Sequence, residues 1–482
     1  MTRFGKMLAT CALVAVTAVA AAAPSVYPTG TTIYDPARTW NGYTVLSSLG
    51  TQAAIVIDMN GNVVKRWDGY NNSAGGPARV LPGGGIIAAA GAHPPHQESL
   101  ELVQRDFDGN VVWRFDHNLE IEMGDGKKTW ALRQHHDWQR EDFPAGYYSP
   151  DAKPAVTGSK TLILTHTSHV VPAVSTAMLE DDRLIEVSSD GKIVWEWTVG
   201  EHIDELGFDA DARAAIHAGP GAGPAPGPGP GPGSGPGPGP GPGAGPRPPN
   251  AARNGFDWFH MNSATYVGPN HWFDAGDKRF APDNVIISSR QASLIAIVAR
   301  DGSIVWRMGP DYGKSDALRK IRQIIGQHHV HMIPKGLPGA GDLLVFDNGG
   351  ASGYGAATPV APNGSGIFAR ANSRVLEINP VTLELVWSYV SPAQFYSSNI
   401  AGAQRLPNGN TLITEGAPGR LFEVSSDGTI VWEYMSPFFG DGPRRSNAVY
   451  RGYRVPYDWI PQLGRPHERA VTPPALADFK VP

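Results

Sequence analysis

The chain alternates short apolar runs with polar turns, and it does so six times in nearly the same form. The segments read "IVIDMNGNVVKRW" (55–67), "LVQRDFDGNVVWRF" (102–115), "LIEVSSDGKIVWEW" (184–197), "AIVARDGSIVWRM" (296–308), "VLEINPVTLELVWSY" (375–389) and "LFEVSSDGTIVWEY" (421–434). In each, a β-branched run leads into an Asp-Gly or Asn-Gly style turn and a second β-rich run, the signature of a β-hairpin. Pro380 and Thr382 stand in for the turn in the fifth copy. A second pattern precedes the hairpins, seen best in "AQRLPNGNTLIT" (403–414) and in related form at 78–90, 264–289 and 331–347. It supplies two further strands, so the repeat is four strands long, the unit of a β-propeller. The expected fold is all-β: a six-bladed propeller with four-stranded blades.

The chain ends bear on how such a ring closes. The first hairpin follows "YTVLSS" (43–48) with no innermost strand before it, whereas "YRGYRVPYDW" (450–459) reads as an innermost strand with no hairpin after it. The C-terminal segment is therefore expected to complete the first blade and remove an open sheet edge. Trp113, Trp195, Trp306, Trp387 and Trp432 share one place in the second strand of their hairpins, where the first copy has Lys65. Rings repeated at this spacing are expected to pack between neighbouring sheets. Residues 218–250, almost wholly Gly, Pro and Ala, contain nothing able to join a core and read as a disordered surface insertion.

Composition narrows the setting. "MTRFGKMLATCALVAVTAVAAAAPSVYP" begins with Arg3 and Lys6, continues as an apolar run and reaches Ala21-Ala22-Ala23 before Pro24, the layout of a secretory signal peptide over 1–23. The run is too short and alanine-rich for a retained span. A single propeller domain, 24–482, is expected to follow, located in the periplasm or secreted, with no membrane span in the mature chain. The only cysteine, Cys11, lies in the leader, so this domain must be held by its core without disulfides. Formal charge is −5, which offers no basic field for nucleic acid.

The 15 histidines are unevenly spread. "RQHHDWQRE" (133–141), "DWFHMNSATY" (257–266) and "GQHHVHMIP" (326–334) fall at the starts of three successive innermost strands, at one mouth of the central channel. Counting back from the strand ends makes His136, His260 and Asn399 equivalent, with His328 two positions further in and so on the same strand face. His329 points the other way unless the strand entry is irregular, and His331 again shares the face of His328. His93, His96, His166, His169, His271 and His467 are out of register and read as surface or loop residues. Any one such histidine is more often a satisfied core residue; three at matching places in three blades point to a functional cluster. Converging imidazoles can bind a metal, serve as acid and base, or act as nucleophiles. Asp137 is the only close carboxylate for a metal, and no metal or other cofactor is assigned. Arg290, Asn348 and Arg374 are candidates for handling an anion.

The segments "DWFHMNS", "NVIISSRQAS", "IVWRMGP", "GQHHVHMIP", "LLVFDNGG", "SRVLEINP" and "LPNGNTLITEG" resemble those of the bacterial arylsulfotransferases, over about residues 40–460. The resemblance implies an exported six-bladed propeller that moves a sulfuryl group from a phenolic sulfate ester to a phenolic acceptor through a transiently sulfated histidine, without a nucleotide sulfate donor. Its small-molecule partners would be aryl sulfates and phenols. It implies active-site roles for His260 and for one of His328 and His329, and gives Arg374 the sulfate oxygens. It also implies a sulfated histidine in a late blade, where "QFYSSNIAGAQRLPNGN" has Asn399 and no histidine. The nucleophile would then be His136, His260 or His328, with His329, His331, Asn399, Asn348 and Arg290 lining the substrate site. Two alternatives stay open: a ligand-binding propeller without catalysis, and a metal-dependent lyase or hydrolase using the channel histidines.

Overall fold

Hairpin after hairpin, the strands follow the predicted order. The computed structural model describes residues 28–71, 76–93, 97–123, 126–219, 255–441 and 446–473. The expected leader lies outside these residues, as does the Gly/Pro-rich insertion apart from residues 218 and 219. The architecture is an all-β propeller.

Three sheets have four strands each, one has five, and one has eight. The expectation of six separate blades is corrected accordingly: four sheets are single blades, and two hairpins share the eight-stranded sheet. The reason is local. Gln134, at the start of Gln134–Arg140, pairs with Ser99 of Glu98–Arg105, which joins strands that would otherwise belong to separate sheets. The fifth strand of the five-stranded sheet, Gly30–Tyr34, lies antiparallel to the outer strand Ile430–Met435.

The first blade is completed from the far end of the chain. Val449–Val455 pairs antiparallel with Tyr43–Ser48, in a register running from Tyr43 opposite Val455 to Ser48 opposite Val449. All seven residues of Val449–Val455 are buried, as are those of Gln134–Arg140, His328–Met332 and Ala401–Arg405. These innermost strands pack side by side round the channel, with Met261–Tyr266 between Gln134–Arg140 and His328–Met332. Outer strands such as Val111–Phe115 and Leu385–Val390 are largely exposed.

Four of the five repeated tryptophans link their hairpin to the next. Trp195 Nε1 donates to Arg300 O (3.1 Å), Trp306 to Pro380 O (2.8 Å), Trp387 to Ser426 O (3.1 Å) and Trp432 to Met59 O (2.8 Å), each acceptor lying in the following hairpin's turn. In the first hairpin Trp67 takes this part, reaching Asp106 O and Phe107 O, while Lys65 lies over the Phe107 ring. An indole satisfied in this way fills the gap between sheets without burying an unpaired donor. Among the described residues no helix is long and apolar enough to cross a membrane.

Candidate active site

At the entry to each histidine-bearing innermost strand the ladder is broken by a bulge. Gln134 faces Thr165 but Trp138 faces Ile163; Met261 faces Ser289 but Ser263 faces Ser288; His328 faces Phe346 but His331 faces Leu344. The extra residues re-aim their side chains, as bulges do. His136, His260 and His329 each hold a left-handed backbone, with φ of 56°, 51° and 50°, and Ile400 shares it at 41°. Non-glycine residues pay roughly 1–2 kcal/mol for this conformation, so its recurrence marks structurally equivalent positions. The register expected from the sequence is thereby corrected: Ile400, not Asn399, is the counterpart of His136 and His260, and in the strand of His328 the matching residue is His329.

The geometry brings His136, His260 and His328 together. The His136 and His260 rings meet edge to face with centroids 4.8 Å apart. Burial first, then the neighbouring charges of His260, His135 and His328, holds His136 well below the ordinary imidazole pKa. His328 is likewise lowered, by burial and then by Arg290. Its Nδ1 lies 2.8 Å from Asn348 Oδ1 and 3.1 Å from Gly326 O. Asn348 is fixed in turn by donating from Nδ2 to Ser397 O at 2.8 Å. Both partners of His328 Nδ1 are acceptors, so Nδ1 carries the proton and Nε2 presents a lone pair. Asn348 thus orients His328.

His260 is the cluster member that reaches water: its side chain is 18% exposed, whereas His136 and His328 are exposed by 4% and 1%. Its Nδ1 lies 2.5 Å from Asp257 Oδ2. Burial raises the Asp257 pKa, but the charge and hydrogen bond of His260 outweigh it and hold the carboxyl well below the usual range. An ionised Asp257 can only accept, so Nδ1 donates and Nε2 is left with the lone pair. The adjacent Arg290 N–H donates to His260 O at 3.0 Å. Among the described residues the Arg290 guanidinium makes one hydrogen bond, a long one to Ala351 O at 3.5 Å.

His329 and His331 lie deeper in the channel. The strand entry is irregular, the condition under which His329 is expected to turn inward, and its ring packs 4.5 Å from His331 and 5.6 Å from Tyr453. Tyr147 Oη is 2.9 Å from His331 Nε2. Burial lowers both histidines, His331 to about 3, with Arg451 adding to the effect. Asp137 bridges Arg79 (2.9 Å) and Arg451 (3.0 Å), which commits the carboxylate that sequence reading offered to a metal.

Arg374 is not an open anion-binding group in this structure. Its guanidinium grips Asp347 Oδ2 through Nε (2.8 Å) and Nη2 (2.6 Å) and reaches Ile321 O and Gln323 O (2.9 and 3.2 Å). Fork geometry matched to a carboxylate explains the pairing, and the arginines acting on the histidines are Arg290, Arg451 and Arg79. Asn399 sits exposed at the rim, its Oδ1 accepting from Ser398 Oγ. The reading of His166 as a surface or loop residue is also corrected: it is 3% exposed within Thr161–His169. His166 stacks on His135 with ring centroids 3.6 Å apart, among Glu98, Glu180 and Asp182. Burial opposes a proton on His166, but those carboxylates prevail and raise it to about 9. Sequence reading missed Asp257, although it stands three residues before His260. It also missed Asp182, whose signal was "LEDDRL", acidic residues inside an otherwise apolar strand.

A family model for arylsulfotransferases matches residues 105–432, which spans all three histidine-bearing strand entries. The chain belongs to the arylsulfotransferase family. No curated protein matches this arylsulfotransferase-family chain. Similar solved structures include a protein of unknown function from Bacteroides caccae, at 10% identity and TM-score 0.41, covering 86% of this chain and 99% of that one. The Swd1 β-propeller domain of Myceliophteria thermophila is similar at 8% identity and TM-score 0.39, covering 86% and 88%. Virginiamycin B lyase from Staphylococcus aureus is similar at 9% identity and TM-score 0.34, covering 85% and 84%.

Proposed function

We propose that this protein is an exported arylsulfotransferase in which His260 carries the sulfuryl group. The observation that carries the reading is the Asp257–His260 pair at the channel mouth, where a fixed Nδ1 proton leaves Nε2 nucleophilic and open to solvent. In the first half-reaction His260 Nε2 bonds to sulfur as the sulfur–oxygen bond of the aryl ester breaks, and the electron pair leaves on the phenolate. In the second, the acceptor phenol oxygen bonds to sulfur, the nitrogen–sulfur bond breaks, and the phenolic proton passes to His328 Nε2. Arg290 holds the sulfuryl oxygens, replacing Arg374 in that role. Family membership supports aryl substrates, and the leader-like N-terminus supports work outside the cytoplasm.

The test follows p-nitrophenol release from p-nitrophenyl sulfate with phenol as acceptor. His260→Ala is expected to lower release to background, and Asp257→Asn to lower it by about 10²–10⁴-fold, since the wrong tautomer then faces the substrate. Sulfur-labelled donor should mark the peptide containing His260. Label on His136 or His328, or undiminished release from His260→Ala, would move the nucleophile elsewhere.

A further inference from the structure

Beside the entry of Gln134–Arg140, on the two neighbouring strands of its sheet, lies a second group of buried ligand-type atoms with no part in the reaction described above. His135 Nε2 is 3.2 Å from Asp182 Oδ1, and His166 Nε2 is 3.7 Å from the same oxygen. Both His135 Nε2 and Asp182 Oδ1 are buried without a hydrogen-bond partner, in residues 0% and 1% exposed. Two unpaired polar atoms facing each other in a dry interior are costly unless something lies between them.

The other atom of each residue is already committed. Asp182 Oδ2 accepts from Met261 N–H at 2.7 Å. His166 Nδ1 is 3.0 Å from Glu98 Oε1 and 3.2 Å from Glu180 Oε1, a pairing that places its proton on Nδ1 and leaves Nε2 as an acceptor when the ring is neutral. His135 Nδ1 is 2.8 Å from His136 Nδ1. If His135 donates in that contact, its Nε2 lone pair faces a carboxylate oxygen and the contact is repulsive; a cation between them reverses the sign.

We propose that His135 Nε2, His166 Nε2 and Asp182 Oδ1 form a binding site for a divalent transition-metal ion of the zinc class. These three atoms lie within 4.8 Å of one another. Ligands about 2.0–2.2 Å from a tetrahedral ion stand roughly 3.3 Å apart, close to the two separations from Asp182. The rings of His135 and His166, now stacked at an interplanar angle of 11°, fan apart to aim both lone pairs at the ion. Glu98 and Glu180 serve as its outer carboxylates. The site stabilises the strand entries behind the mouth, because His135 precedes His136 and Met261 follows His260. It is distinct from the sulfuryl-carrying histidine and does not depend on that assignment.

The test uses the full-length chain, stripped with chelator and titrated with Co²⁺, with binding read from visible d–d absorption and elemental analysis. One equivalent per chain is expected, displaced by Zn²⁺. Asp182→Asn keeps the side-chain shape and is expected to weaken binding at least about tenfold; His135→Gln, checked for native circular dichroism, should do the same. His169→Ala, outside the ligand set, should retain the ion. A folded wild-type chain that takes up no Co²⁺ at micromolar concentration, or equal affinity in Asp182→Asn and His135→Gln, would overturn the site whatever p-nitrophenol release shows.

Discussion

Arg374 illustrates how a residue type can suggest one chemistry and its surroundings impose another. A guanidinium in a segment resembling an active-site motif suggests sulfate binding, yet Arg374 bonds to Asp347 and to the backbone carbonyls of Ile321 and Gln323. Arg374→Ala leaves Asp347, itself 0% exposed, with only Arg370 (2.8 Å) and the Ile325 N–H (2.9 Å) and is expected to cost about 1.5–3 kcal/mol in denaturant unfolding. The fraction that stays folded should keep its specific activity, in contrast to His260→Ala. Asp342 offers a pH-dependent case. Burial first, then Glu377, raises its pKa to about 6, against 3.8 ordinarily. Protonation therefore favours the folded state, and stability falls as pH rises from about 4 through 6. Asp342→Asn removes this dependence. Above pH 6 the variant should be the more stable by about 1 kcal/mol, after discounting for the half-exposed position, and thermal melts at pH 4 and pH 8 would reveal the crossover.

In five of the six hairpins a tryptophan belongs to two elements at once, its ring in one sheet and its N–H on the next hairpin's turn. Trp432→Phe keeps most of the apolar ring but removes one of the two donors to Met59 O, leaving Thr31 Oγ1, for an expected loss of about 0.5–1.5 kcal/mol in equilibrium unfolding. These hairpins were plain in the sequence because their turn chemistry and β-branched runs are local properties, and so was the pairing of 449–455 with 43–48, which the unmatched chain ends required. The site was legible only in part. His136, His260 and His328 could be placed at one mouth by counting, but counting assumes an unbroken period of two. Bulges at the three histidine-bearing strand entries break that period, which is why His329 faces inward, and a left-handed residue before Ala401–Arg405 makes Ile400 the match to the histidines. His166 and Asp182 were hidden for another reason: they come from the two strands next to that of His135, and only the pairing register, with His166 opposite Asp182 and bonded to Arg133 O, brings them to it.

Across the whole molecule, the blades are held in sequence by neighbour contacts, and one joint differs from the rest because its halves are distant in the chain. Arg454 reinforces that joint, its Nε donating to Thr44 Oγ1 at 3.1 Å while Nη1 pairs with Glu423. Deleting residues 449–473 should remove cooperative unfolding, since Tyr43–Ser48 would lose its inner partner and the channel one wall; circular dichroism melts of the truncated chain would show a broad transition or none. This arrangement also orders events in the life of the protein. The segment that seals the first blade follows every other blade strand in the sequence, so the ring stays unsealed on the ribosome until all of those strands have emerged.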